Sequence, residues 1–125
     1  GESDMPTPAF ISDAASRGLA NGETFYTWQA GIPELRQAIA RYHQRHFGKD
    51  FGADSFVVTI GGMQAITMAL QATSGAGDEA IYLAPAWPNF AGAAGIAGAR
   101  PVPVPLDMTD NGWSCDVEKI AAAIT

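Results

Sequence analysis

The run Phe56-Val57-Val58-Thr59-Ile60-Gly61-Gly62-Met63-Gln64-Ala65 decides how the rest of this sequence reads. Its first five residues are apolar or β-branched, the composition of a buried strand. Two glycines follow at once, and from Met63 to Thr73 the residues Ile66, Ala69, Leu70 and Thr73 recur at helical spacing. A strand therefore turns directly into a helix across Gly61-Gly62. Glycine lets main chain approach a ligand, and a helix start presents unpaired N–H groups and the positive end of a dipole. Such a junction is either a phosphate cradle built from backbone alone or a tight turn that holds nothing. Neither the Gly-x-Gly-x-x-Gly fingerprint nor the Walker lysine pattern is present to choose between them.

Downstream, Ser74-Gly75-Ala76-Gly77-Asp78 reads as a turn and Glu79 to Ala84 as a second apolar strand. Pro85 to Phe90 forms a loop that opens a Gly/Ala-rich helix to about Gly98. Arg100 to Leu106 is a third strand, but prolines at 101, 103 and 105 place it at a sheet edge or make it irregular. Asp107 to Trp113 reads as a turn and Asp116 to Ile124 as a short helix.

Upstream, Pro33 to Phe47 is the clearest helix, with proline at its first position, Glu34 beside it and Gly48 to end it. Leu35, Ala38, Ile39, Tyr42 and His46 share one face; Arg36, Gln37, Arg41, Gln44 and Arg45 fill the other. Ile11 to Ala20 is an earlier helix capped by Ser12 or Asp13 and stopped by Asn21-Gly22. Gly1 to Pro8 and Glu23 to Ile32 are loops. Apolar strands alternating with helices predict an α/β fold, a mostly parallel sheet covered on both faces in an α/β/α arrangement.

Composition narrows the function classes. The chain has 125 residues, a net charge of −6 and 16% charged residues. That balance argues against broad binding to nucleic acid or to an anionic membrane. No apolar run reaches the roughly 18 residues a spanning helix needs, and no signal peptide is visible, so a cytoplasmic location is the expectation. The single Cys115 excludes an intrachain disulfide framework and lies in no redox motif. The first and last residues read as cut ends.

Four groups of residues are candidates for chemistry. Trp87, between Pro85 and Pro88 at the carboxyl end of a strand, is held where α/β sheets bind ligands; it either stacks on a flat ring or packs in the core. Tyr26 offers a hydroxyl from an aromatic loop, which otherwise serves packing or an interface. His43 and His46 stand three apart on a helix with no third ligand near, so they read as surface or interface residues and no metal is expected. Asp107, Asp110 and Asp116 lack calcium-loop spacing and read as caps and turn residues.

These residues also carry a resemblance. Tyr26 with Gly31-Ile32-Pro33-Glu34-Leu35-Arg36, Gly61-Gly62-Met63-Gln64-Ala65, Gly77-Asp78-Glu79 and Pro85-Ala86-Trp87 resemble class I/II aminotransferases, pyridoxal 5'-phosphate enzymes of fold type I. Gly1-Glu2-Ser3-Asp4 with Thr7-Pro8 is similar to the segment that opens the family's pattern. The resemblance covers nearly all of this chain and roughly the first third of a family member. It implies a 1–32 segment carrying an interface tyrosine, and over 33–125 the start of the cofactor-binding large domain.

The resemblance implies roles residue by residue. Gly62 and Met63 give backbone N–H groups to the cofactor phosphate, and Trp87 stacks on the pyridine ring. Tyr26 reaches across a homodimer interface to the phosphate of the partner site. Gly1 lies near the substrate carboxylate. The Schiff-base lysine, the aspartate facing the pyridine nitrogen and the carboxylate-binding arginine are expected outside residues 1–125, because Lys49 and Lys119 read as solvated surface lysines. No catalytic residue is therefore expected in this chain, and these residues alone are expected to be inactive. The implied reaction moves an amino group between an amino acid and a 2-oxo acid. Other readings are a decarboxylase, lyase or acyl transferase of the same fold. Still others are a cofactor-binding sensor domain of a transcription regulator, or a nucleotide-binding domain using Gly61-Gly62 alone.

Overall fold

Pro33 begins and Gly48 ends the best-formed helix, as the sequence predicts. In the computed structural model, which describes residues 3–125, α2 spans Pro33–Phe47. Gly48 closes it in the left-handed region at φ 63°, with its N–H on the Gln44 carbonyl. The chain divides into two units, Gly1–Val57 and Val58–Thr125.

In the first unit, α1 spans Ala9–Ala20, starting two residues before the predicted Ile11. The cap is Pro8 rather than Ser12 or Asp13. Pro8 cannot continue a helix backwards, and its carbonyl accepts from Ile11 N at 2.9 Å. The Ser12 hydroxyl instead donates to Ala9 O, within the helix. Past α2, Ala53–Ser55 forms one 3₁₀ turn. His43, predicted at the surface or in an interface, is packed against aromatic rings of its own unit. It is half-buried, its ring 5.0 Å from Phe56, 5.3 Å from Phe47 and 6.2 Å from Phe51.

The strand predicted over Phe56–Ile60 does not form. Its β-branched residues favour extended backbone, but a strand also requires a ladder partner, and none runs beside it among the described residues. Its polar groups bond elsewhere: the Phe56 carbonyl accepts from Arg36, and the Ile60 N–H donates to Gln64. Nor is the run buried, with Val57 58% and Ile60 93% exposed.

The second unit holds α3 (Gly62–Thr73), β1 (Glu79–Ala84), α4 (Asn89–Ile96) and β2 (Arg100–Pro105). β1 and β2 pair in parallel, from Glu79 opposite Arg100 to Ala84 opposite Pro105, joined by α4. This is the parallel α/β order predicted. The proline strand lies at the edge of this two-stranded sheet, one of the two outcomes the sequence allows, and it pairs regularly for a reason of parity. Arg100 N donates to Asp78 O and Leu106 N to Ala84 O, so even-numbered residues bond β1. The prolines at 101, 103 and 105 fall on the side turned away, where no N–H is required.

Alanines 93, 94 and 99 with Val104 are the buried core; small side chains let α4 lie close on β1 and β2 and against α3. The predicted Asp107–Trp113 turn is a hairpin, β3 (Asp107–Thr109) against β4 (Gly112–Ser114). The helix predicted from Asp116 is α5 (Val117–Ala122), with the Asp116 carboxylate accepting from Glu118 N at 3.0 Å. Among the described residues no helix is long and apolar enough to cross a membrane.

Candidate functional site

The junction ahead of α3 is ordered by its own short hydrogen bonds. Gly61 holds φ 81° and ψ 161°, a region open only to glycine, and no side chain caps the helix behind it. Gly61 N donates to Thr59 O at 3.0 Å, while the Thr59 hydroxyl donates to Gly61 O at 3.1 Å. The Ile60 N–H crosses the turn to Gln64 Oε1 at 2.5 Å. The donors before the helix are thereby spent. The N–H groups of Gly62 and Met63, at the first two helical positions, meet no acceptor among the described residues.

Space accompanies those donors. A Cβ built on Gly61 or Gly62 would meet nothing within 4 Å. Oriented N–H groups, the positive end of a 12-residue helix and an unobstructed approach fit a phosphate group. The strand expected to lead into the turn is absent, yet the turn and helix start stand as the sequence predicts.

Trp87 lies in the loop after the carboxyl end of β1, within the same unit. Its carbonyl accepts from Phe90 N at 3.1 Å, and its ring meets Phe90 edge to face at 6.1 Å and 85°. At 42% exposed it is held on one edge and open on the rest, which is not the burial of a core tryptophan. Met63 at the start of α3 and Asn89 at the start of α4 line one cavity of about 230 Å³ with Thr67, Gly92, Ala93 and Ile96. Two helix starts thus line one cavity of this unit, and Trp87 is not among its lining residues.

Tyr26 belongs to the first unit, where it is fully exposed and lines an open groove with Phe25, Thr27, Ile32, Glu23 and Glu34. Gly1 lies outside the described residues. Lys49 is exposed. Lys119 departs from its predicted solvated state: its Nζ donates to both carboxylate oxygens of Asp107. Cys115 is exposed.

The site residues the sequence reading missed are Thr59 and Gln64. A signal existed for one of them, since glutamine at the third helical position is the one that reaches back in a capping box. Outside the site, Arg36, predicted on the polar face of its helix, turns instead to the carbonyls of Ala53 and Phe56.

The family model for aminotransferases of class I and II matches residues 1–125. The chain belongs to that family. Pyridoxal phosphate is the cofactor that membership implies in general. An aspartate/prephenate aminotransferase of Thermus thermophilus is 39% identical over all of this chain and 32% of its own length. An arginine–pyruvate transaminase of Pseudomonas aeruginosa is 38% identical over the whole chain and 32% of its own. The solved N-succinyldiaminopimelate aminotransferase of Mycobacterium tuberculosis superposes with a TM-score of 0.93 at 31% identity, covering all of this chain and 33% of that one. The chain spans about a third of the length of the curated relatives it matches. An aminotransferase fold of type I is accordingly the architecture to which these helices and strands belong.

Proposed function

We propose that the whole protein is a pyridoxal-phosphate-dependent aminotransferase, moving an amino group between an amino acid and a 2-oxo acid, and that this chain supplies part of its cofactor grip. The family match along residues 1–125 carries the reading. The free donors at Gly62 and Met63 agree with it independently, because they fit the phosphate of the implied cofactor.

When bound, the cofactor supplies an electron sink for the bond changes at the amino acid's α-carbon. The residues of this chain bind and orient. Gly62 and Met63 direct two N–H groups at the phosphate, in line with the α3 dipole. Trp87 offers an indole face restrained by Phe90 and the flanking prolines, suited to lie against a pyridine ring. Tyr26 extends its hydroxyl from an exposed loop toward the phosphate held by a second copy of the protein, which makes the working unit a homodimer. The lysine that holds the cofactor covalently comes from outside residues 1–125: Lys119 is tied to Asp107, and Lys49 lies in a polar turn beyond α2.

Two of the relatives differ in substrate while sharing this part of the chain equally well. The degree of likeness to either relative therefore does not select the amino acid. Titration of the full-length protein with pyridoxal phosphate tests the proposal, followed by a panel of amino acids each paired with a 2-oxo acid. Uptake of the cofactor and amino transfer to at least one 2-oxo acid are expected. A full-length protein that takes up no pyridoxal phosphate overturns it.

A further inference from the structure

Gln64 does something that no role in cofactor contact explains. Its side chain turns back from the third position of α3, away from the helix face it belongs to, and accepts the Ile60 N–H. The partner is two residues ahead of the helix, so the bond spans both glycines. Thr59 braces the same turn from the other side, through its hydroxyl on Gly61 O and its carbonyl on Gly61 N. A glycine pair with open space around both Cβ positions has no steric reason to hold one shape. These side-chain bonds are what remove that freedom.

We infer that Gln64 is a positioning residue for the phosphate cradle, with Thr59 as its accessory. The inference rests on the proposed cofactor role of Gly62 and Met63, whose ligand comes from family membership and not from the helix end alone. By taking the Ile60 N–H, Gln64 fixes the approach to the helix so that the next unpaired donors are those of Gly62 and Met63. Without it the turn samples several conformations, and the phosphate must order the turn as it binds. Ordering on binding weakens affinity without removing any contact.

The test compares two probes on the full-length apoprotein: pyridoxal phosphate, and pyridoxal, which lacks the phosphate. Gln64→Leu keeps a helix-forming side chain of similar length and loses the acceptor. It is expected to weaken pyridoxal phosphate about tenfold while pyridoxal changes by less than about twofold. Exchange of the Ile60 amide proton, slow in the parent, becomes fast in the variant. Thr59→Val is expected to shift phosphate affinity in the same direction, and it carries the test if Gln64→Leu does not fold. Equal affinity for pyridoxal phosphate in parent and variants overturns the positioning role. So does an equal loss for both probes, which marks general damage. A parent protein that binds neither probe overturns the cofactor reading itself and is told apart from these by needing no variant.

Discussion

Arg36 Nε donates to the Phe56 carbonyl oxygen at 2.9 Å, across twenty residues of chain. The same nitrogen reaches Ala53 O at 3.1 Å, and a terminal nitrogen reaches Asp54 Oδ1 at 2.9 Å. With its side chain only 16% exposed, this guanidinium is what joins α2 to the 3₁₀ turn behind it. A charged donor on two carbonyls is worth more than a neutral one. Arg36→Met is therefore expected to lower the unfolding free energy of the full-length protein by about 2 kcal/mol, read from denaturant curves. Asp54, fully exposed, adds an ion pair in high dielectric, and Asp54→Asn is expected to leave the midpoint where it is. Equal effects from the two variants would refute this division.

Gly61 and Gly62 are adjacent but do different work, and alanine separates them. At Gly61 the backbone region excludes a side chain whatever the space, so Gly61→Ala is expected to destabilise by about 1–3 kcal/mol. At Gly62 the added methyl meets nothing and improves helix propensity, so Gly62→Ala leaves the fold unharmed. The methyl does add bulk to the residue that gives the proposed cradle its first free N–H. Gly62→Ala is expected to raise the dissociation constant for pyridoxal phosphate about tenfold with no loss of melting temperature. Unchanged cofactor affinity in that variant would remove Gly62 from the cradle.

How legible this was differs by residue. α2 was readable to both ends, because Pro33 and Gly48 mark its limits in local chemistry. β1 was readable because its short apolar run between turn residues also has a neighbour, β2, to pair with. The run Phe56–Ile60 misled, since propensity is local while a strand depends on a neighbour. Arg36 misled in the opposite way: its place on the polar stripe was right, but nothing local announces that two carbonyls lie within its reach. For the site, Gly61-Gly62 and Trp87 could be singled out because glycine opens backbone conformations closed to other residues and proline restricts them, and both effects are local. Gln64 acts through a side chain bent back on its own turn, and only the capping pattern hints at it.

Neither lysine of this chain is expected to hold the cofactor. Lys119 is committed to Asp107 through both carboxylate oxygens and lies on the terminal helix α5, and Lys49 lies exposed beyond α2. The full-length double variant Lys49→Arg with Lys119→Arg should retain its visible cofactor absorbance, its sensitivity to borohydride and its amino-transfer rate. Loss of the borohydride-sensitive band would place the covalent link inside this chain and overturn the assignment.

Tyr26 and Trp87 predict opposite patterns of damage, which makes them the sharpest check on the proposed grip. Tyr26 is wholly exposed and packs on nothing, so Tyr26→Phe should leave the melting temperature unchanged while weakening cofactor retention in the assembled dimer. Its effect should vanish when the protein is diluted below its dimer dissociation constant, because in the proposed grip the hydroxyl acts on the partner's site. Trp87 touches Phe90, so Trp87→Ala costs some stability along with cofactor affinity. Trp87→Phe keeps an aromatic face and should restore most of both. A Tyr26→Phe protein that binds cofactor like the parent at high concentration would exclude the cross-subunit role, and a Trp87→Phe protein no better than Trp87→Ala would exclude stacking.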